Sequence, residues 1–309
     1  MASTITLDVR PRGKPIENLP QEIKVPTTAT GADLYNALAE QSSFSIHRLR
    51  VTKGSDGSLI SGVKGPSVHD TGLRDQSTIY VKDLGPQIAW RTVFIIEYLG
   101  PLLIHPLTLY ILRPYIYSNA AGSDPSPLQS LTCALLVLHF FKREFETIFI
   151  HRFSLATMPM RNIFKNSAHY WILAGANIAY WVFAPDSPTA VEEANPLLLY
   201  PGLFLFVFGQ LANLSSHVTL RNLRRTGSTE RGIPTGFGFG LVTCPNYLFE
   251  TLAWVGIYLV SGLSWSVLVF IIVAAAQMMI WAKGKERRYR KEFGDKYKNK
   301  RYVIFPGLY

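Results

Sequence analysis

Cysteine is nearly missing: Cys133 and Cys244 are the only two in 309 residues. So few exclude a disulfide framework or a zinc-type cluster, and both are expected to be packing residues, with a reactive Cys244 as the minor alternative. Histidine is too scattered along the chain to suggest a metal centre. A Gly-x-Ser-x-Gly elbow and a Walker loop are also lacking. The run "GFGFG" from Gly236 to Gly240 neither follows a strand nor opens a βαβ unit, which removes the Rossmann fingerprint. The start, "MASTITLDVRPRGKP", has no basic stretch leading into an apolar one. A cleavable leader is therefore not expected, and the N-terminus is expected to stay in the cytosol. Long apolar runs are missing before about residue 86.

After that point they dominate. The chain is 48% hydrophobic and 13% aromatic, and its mean hydropathy is positive, a composition that leans towards a membrane protein. Its first part, 1–86, reads as a small α+β module: "TITLDV" alternates as a strand should, "IKVP" is a second strand, "GADLYNALAEQ" has helical spacing, and "HRLRVTK" and "STIYVKDL" are later strands. That order and length resemble the ubiquitin-like β-grasp. The second part, 87–309, opens with "IAWRTVFIIEYLGPLLIHPLTLYIL", long enough for the roughly 20 residues that a bilayer requires. Further runs lie at 127–148, 168–185, 196–218 and 247–282, the last divisible at Ser261-Gly262. The expected fold is a multi-pass α-helical membrane bundle of about six to seven transmembrane helices.

Loop charges give the orientation, because Lys and Arg are retained on the cytoplasmic side. Lys142, Arg143, Arg152, Arg161 and Lys165 fall in one loop region, and Arg221, Arg224, Arg225 and Arg231 in another; the tail from Lys283 to Arg301 is the most basic part. In contrast "PDSPTAVEEANP" carries only acidic charge. Both termini are therefore expected in the cytosol. The formal charge of +10 is explained by these loops, with no need for a nucleic-acid partner.

Polar residues inside apolar runs are costly and mark candidate sites. In "VTCPNYLFETLAW", Tyr247, Glu250 and Trp254 share one helical face. Glu97 and Tyr98 lie two to three turns into the first run, where a structural carboxylate is as plausible as a functional one. Lys142 and Glu146 form an i,i+4 pair, and His139 lies one turn before Arg143; a solvated helix exit accounts for these at least as well as a site. Asn213, His217, Arg221 and Arg224 follow at turn-like spacings, a flank that suits either a membrane-interface anchor or a phosphate-rich ligand.

The stretches "GFGLVTCPNYLFETLAWVGIYL" and "QMMIWAKGKERRYRKEFGDKYKNKRYVIFPGLY" resemble the catalytic region of the steroid 5α-reductase family, and within it the very-long-chain trans-2-enoyl-CoA reductases. "DLGPQIAW", "EYLGPL", "HRFSLATMPMRNIFKN" and "WAKGKERRY" extend the similarity over most of the chain. The resemblance implies NADPH-dependent reduction of the C2–C3 double bond of a long-chain enoyl-CoA, the last step of fatty-acid elongation in the endoplasmic reticulum membrane, beside the other elongation enzymes. It carries Asn246, Tyr247 and Glu250, then Asn213, His217 and Arg224, then Lys285 and Tyr289, onto the family's cofactor motifs. His217 and Lys285 depart from the steroid enzymes, which have an acidic residue and a histidine there. It also points to Glu97, Lys142 and Tyr247 as residues needed for activity. Hydride addition at C3 makes an enolate, so an oxygen donor and a proton for C2 are required. Tyr247 is the candidate donor, and Lys142 would favour its phenolate or resupply its proton. Arg221, Arg224, Lys285 and Arg288 suit the pyrophosphate and 2′-phosphate. Two alternatives stay open: a reductase of a sterol or polyprenol-derived substrate, and a non-catalytic membrane scaffold.

Overall fold

Alternation of apolar and polar residues in "TITLDVRP" becomes β1 (Thr4–Pro11), whose Ile5, Leu7 and Val9 are buried. This is seen in a computed structural model that describes residues 3–62, 66–118, 124–153, 156–223, 232–297 and 302–308. β2 (Glu22–Pro26) pairs antiparallel with β1, and helix α1 (Gly31–Ser42) follows. Thr30 caps α1 reciprocally with Asp33: the Thr30 N–H donates to Oδ2 at 2.8 Å while its hydroxyl oxygen accepts from the Asp33 N–H. β3 (Leu49–Lys53) is antiparallel to β4 (Ser77–Asp83), and β4 is parallel to β1, so the sheet order is β2-β1-β4-β3. Leu34, Tyr35 and Leu38 of α1 close its core with Leu7, Ile23, Val51, Ile79 and Val81. A separate ribbon joins β5 (Gln87–Ala89) to β6 (Thr157–Pro159).

Chain packing gives two units, Met1–Trp90 with Leu155–Asn162, and Arg91–Ser154 with Ile163–Tyr309. The larger one is helical. α2 (Trp90–Leu107) passes through a π-helical turn, Thr108–Leu112, into α3 (Arg113–Ile116). α4 (Pro127–Phe145) starts at a Ser126 capping box with Gln129 and ends in a second π turn, Glu146–Ile150. α5 (Asn162–Ser167), a long π segment (Ala168–Asn177) and α6 (Ile178–Val182) run on as one column. α7 (Pro196–Asn222), α8 (Pro245–Val260) and α9 (Trp265–Phe293) complete the set.

Among the described residues, three helical runs are long and apolar enough to cross a membrane: Trp90–Ile116, Pro196–Asn222 and Trp265–Lys296. α4, the column at 168–182 and α8, all expected as spans, do not meet that measure; α8 has 16 residues, and α4 carries Lys142, Arg143 and Glu144 in its last turn. The apolar run 247–282 does break at Ser261-Gly262, where Gly262 and Leu263 take the left-handed conformation. Outward-facing Phe204, Ile272 and Ile280 are exposed, as side chains in contact with lipid are.

Helices α7 and α8 approach closely because small residues line the seam. A Cβ on Gly256 would lie 2.5 Å from the Phe206 nitrogen, and one on Gly209 would lie 2.6 Å from the Ala253 nitrogen. Beside this seam Tyr98, Phe140, Trp254, Ile257 and Phe270 form the apolar interior, with the Trp254 and Phe270 ring centroids 4.3 Å apart.

Candidate active site

The α7–α8 seam ends in polar residues. Along α7 the buried positions Phe206, Gln210, Asn213 and His217 recur at three- and four-residue spacing, so Asn213 and His217 stay on the inward face after the apolar turns end. α8 begins with Pro245 in its first turn and places Asn246 and Glu250 against the same face of α7. Asn213 is the join. Its amide nitrogen donates to the Asn246 carbonyl at 2.8 Å and to Glu250 Oε2 at 3.0 Å, while its Oδ1 accepts from Lys142 Nζ at 2.6 Å.

Lys142 comes from the last turn of α4, and its ammonium also lies 2.9 Å from Glu146 Oε1. Arg143 is the neighbouring cation, 2.8 Å from Glu146 Oε2 and 3.9 Å from Glu250 Oε1; it donates to the Tyr98 hydroxyl at 2.8 Å. Two carboxylates thus face two fixed cations in the interior, the pairing that a buried ionic group requires. Imidazoles complete the network. The Gln210 amide nitrogen lies 2.7 Å from His139 Nδ1; with the amide donating, the ring proton is on Nε2, which faces Glu250 Oε1 at 3.3 Å. His217 Nδ1 lies 3.0 Å from Glu146 Oε1, and the His151 ring stands edge-on to that of His217 at 4.8 Å.

Glu146, His151 and His217 bring possible metal-ligand atoms within 4.8 Å of one another, a clustering that the scattered sequence positions of His do not suggest. Lys142 and Arg143 already neutralise Glu146, so a divalent cation there would meet two fixed positive charges.

The structure places the remaining sequence candidates around this network. Glu97 on α2 is 1% exposed, and its Oε2 has no hydrogen-bond partner. The stripe read along α8 is divided between two neighbours: Glu250 and Trp254 meet His139 of α4, whereas Tyr247 meets α9. There the Lys285 ammonium stands 4.6 Å from the Tyr247 ring centroid. The cation beside Tyr247 is therefore Lys285, and Lys142 is engaged by Asn213 and Glu146. Tyr289 is buried against Tyr297, Arg288 is exposed 3.7 Å from Glu292, and Arg221 is half-buried. Arg224 lies outside the described residues.

The C-terminal segment holds the start of α8 in place. The N–H groups of Thr243 and Cys244 donate to the carbonyls of Tyr302 and Val303 at 3.2 and 3.1 Å. Glu286 of α9 accepts from the hydroxyls of Thr243 and Tyr297 and from Arg290 Nε. Burial raises the pKa of the Tyr297 hydroxyl above its usual value, which keeps it a neutral donor.

Sequence reasoning named Tyr98, Arg143 and Glu146 without assigning them a role in the site, and it passed over Gln210. The spacing of Lys142, Arg143 and Glu146 was the available signal, but a solvated helix exit has the same spacing. Burial decides between them: Glu146 is 0% exposed.

The cations at hand suit a phosphorylated dinucleotide in kind: Arg221 on the α7 flank and Lys285 and Arg288 on α9, with the Asn213 and Asn246 amides nearby.

Comparison with known proteins gives a consistent set. A family model described as 3-oxo-5-alpha-steroid 4-dehydrogenase matches residues 156–309. A Schizosaccharomyces pombe protein named for enoyl reductase activity is 41% identical over 305 residues, 98% of this chain and 99% of its own. A Dictyostelium discoideum protein named very-long-chain enoyl-CoA reductase is 47% identical over 234 residues, 75% of this chain and 74% of that one. A Caenorhabditis elegans protein named for the same activity is 43% identical over 245 residues, 76% and 77% of the two chains.

Proposed function

Because the chain belongs to the very-long-chain enoyl-CoA reductases of the steroid 5α-reductase family, we propose that it reduces the C2–C3 double bond of a long-chain trans-2-enoyl-CoA, with NADPH as reductant. The observation that carries this reading is the convergence on Asn213. Lys142 of α4 and Asn246 and Glu250 of α8 meet on this one α7 side chain, and all of them belong to the set that the family resemblance selects.

A reduced nicotinamide, when bound, supplies the hydride for C3. The protein's own groups then have two tasks: to stabilise charge on the thioester oxygen and to protonate C2. Tyr247 is the proposed proton donor, and Lys285 beside its ring stabilises the phenolate left behind. Lys142, held from two sides, offers its ammonium to the thioester oxygen. Glu97, with one oxygen unpartnered, is a third participant. Asn213, His217, Arg221, Asn246, Glu250, Lys285, Arg288 and Tyr289 are the proposed cofactor residues, together with Arg224; a cation for the 2′-phosphate favours NADPH over NADH.

The wider assignment follows from the same reading. Residues 1–86 are a β-grasp module, supported by the β2-β1-β4-β3 order with α1 across it. Residues 87–309 are the membrane-embedded reductase, with six to seven spans, both termini cytosolic, in the endoplasmic reticulum. The acyl chain lies among apolar helices while the CoA head stays in water beside the basic loops, so each half keeps its preferred solvent. The product feeds fatty-acid elongation alongside the other enzymes of that cycle.

The test is NADPH oxidation by the purified protein in lipid with a long-chain trans-2-enoyl-CoA, comparing wild type with Tyr247→Phe. The expected result is turnover that falls on the order of a hundredfold in the variant while NADPH still binds. Wild-type oxidation with a sterol enone and none with the enoyl-CoA would overturn the substrate. Full turnover in Tyr247→Phe would remove Tyr247 as the donor.

A further inference from the structure

Glu146 is fully buried where α4 changes from α to π winding. Its N–H reaches both the Lys142 and Arg143 carbonyls, and its own carbonyl accepts from the His151 N–H at 2.7 Å, five residues on. Such single-turn π segments recur at functional sites because they re-aim the side chains around them. Here the re-aimed carboxylate is shared: Oε1 lies 2.9 Å from Lys142 Nζ and 3.0 Å from His217 Nδ1, and Oε2 lies 2.8 Å from Arg143 Nη1.

An ammonium has three N–H donors. On Lys142, Asn213 Oδ1 takes one at 2.6 Å, and Glu146 Oε1 faces the ammonium as its ion-pair partner at 2.9 Å. A hydrogen bond and an ion pair together fix where the ammonium sits, which a lysine on a four-carbon stem cannot do alone.

We propose that Glu146 is a positioning residue for the reduction: together with Asn213 it holds the Lys142 ammonium where a remaining N–H meets the thioester oxygen of the substrate. The inference rests on the enoyl-CoA reductase reading and on the role of Lys142 within it. Glu146 touches neither substrate nor cofactor in this scheme. Its effect passes through Lys142, so the two residues act as one unit.

A double-mutant cycle tests this in the full-length protein in lipid, with NADPH and a long-chain trans-2-enoyl-CoA. Glu146→Gln keeps the shape and removes the charge; it is expected to lower kcat about tenfold or more, with KM for the enoyl-CoA and NADPH affinity changed less than about threefold. Glu146→Asp, which keeps the charge and withdraws it by one methylene, is expected to recover part of the loss. In a Lys142→Met background, Glu146→Gln is expected to have no further effect on kcat. That double variant also removes one charge of each sign, so it folds even if Glu146→Gln alone leaves Lys142 and Arg143 too poorly balanced; Glu146→Asp then supplies the single-variant arm. Equal factors in both backgrounds, or Glu146→Asp at wild-type kcat, would overturn the inference. Full turnover by Lys142→Met would sink both the role of Lys142 and the inference. Inactivity of the wild type would sink the enzyme reading itself, a separate outcome.

Discussion

Asn213 uses every polar atom of its side chain, and its partners come from both α4 and α8. Replacing it with alanine leaves the Lys142 ammonium and the Asn246 carbonyl short of a partner and Glu250 short of a donor. Each such loss in a buried setting costs about 1–3 kcal/mol. Asn213→Ala is therefore expected to lower the thermal midpoint of the purified protein as well as its turnover. Asn213→Asp should be worse on both measures, since it keeps the acceptor for Lys142 but sets a second carboxylate against Glu250. A variant that melts like wild type would show that the network is not closed around Asn213. Part of this site was legible in sequence, because Asn213, His217 and Glu250 sit at helical spacing in otherwise apolar runs. Glu146 was less so. Its partner His217 is distant in the chain, and nothing at residue 146 marks it as enclosed.

Among the elements, the α7–α8 pair depends on the lack of side chains at its closest points. A Cβ at Gly256 would meet backbone atoms, the Gly202 oxygen at 2.6 Å as well as the Phe206 nitrogen, and backbone cannot step aside as a flexible side chain can. Gly256→Val is expected to cost about 1–3 kcal/mol and to push the two helices apart. Because the Asn213–Glu250 bond spans that same seam at 3.0 Å, activity should fall with stability. Gly284→Ala on α9 is the control: a Cβ there meets nothing within 4 Å, so the variant should melt at or slightly above the wild-type midpoint. Thermal unfolding and turnover, measured on both variants, decide the matter. Strands β1 to β4, α1 and the Ser261-Gly262 break were readable in advance, since alternation and a Ser-Gly pair are local signals, whereas the short β5–β6 ribbon was not. The π turns were not, because no residue type announces a winding change. Glu146–Ile150 differs from the turn before it only in hydrogen-bond register.

For the whole molecule, the two units are built differently, one around a four-stranded sheet and one from apolar helices, and should answer to different stresses. In the smaller unit Arg48 donates to both carboxylate oxygens of Asp83, at 3.0 and 2.6 Å, and holds that carboxyl below the usual carboxylate range. A depressed value means that the pair stabilises the fold above the unfolded-chain value of about 3.9 and ceases to do so as pH falls through the folded one. Asp83→Asn is accordingly expected to reduce amide protection in β3 and β4 at pH 7, by a modest amount because both partners are partly exposed. Its difference from wild type should vanish once the pH has fallen through the depressed folded-state value. Hydrogen exchange read by mass spectrometry on the intact chain reports this unit separately, and unchanged protection at pH 7 would show that the pair is stabilising nothing.

α9 has 29 residues without a break, about 43 Å of rod. Its apolar part ends at Ala282, so the last 11 residues, Lys283–Phe293, extend about 16 Å past the hydrocarbon boundary. The rod therefore works as a lever whose fulcrum is the bilayer. A membrane thinner than the apolar part tilts it, and a tilt of about 10° sweeps its far end by about 3 Å. Lys285, Glu286 and Tyr289 ride on that arm, so acyl-chain length enters twice, once as substrate and once as the thickness of the surrounding lipid.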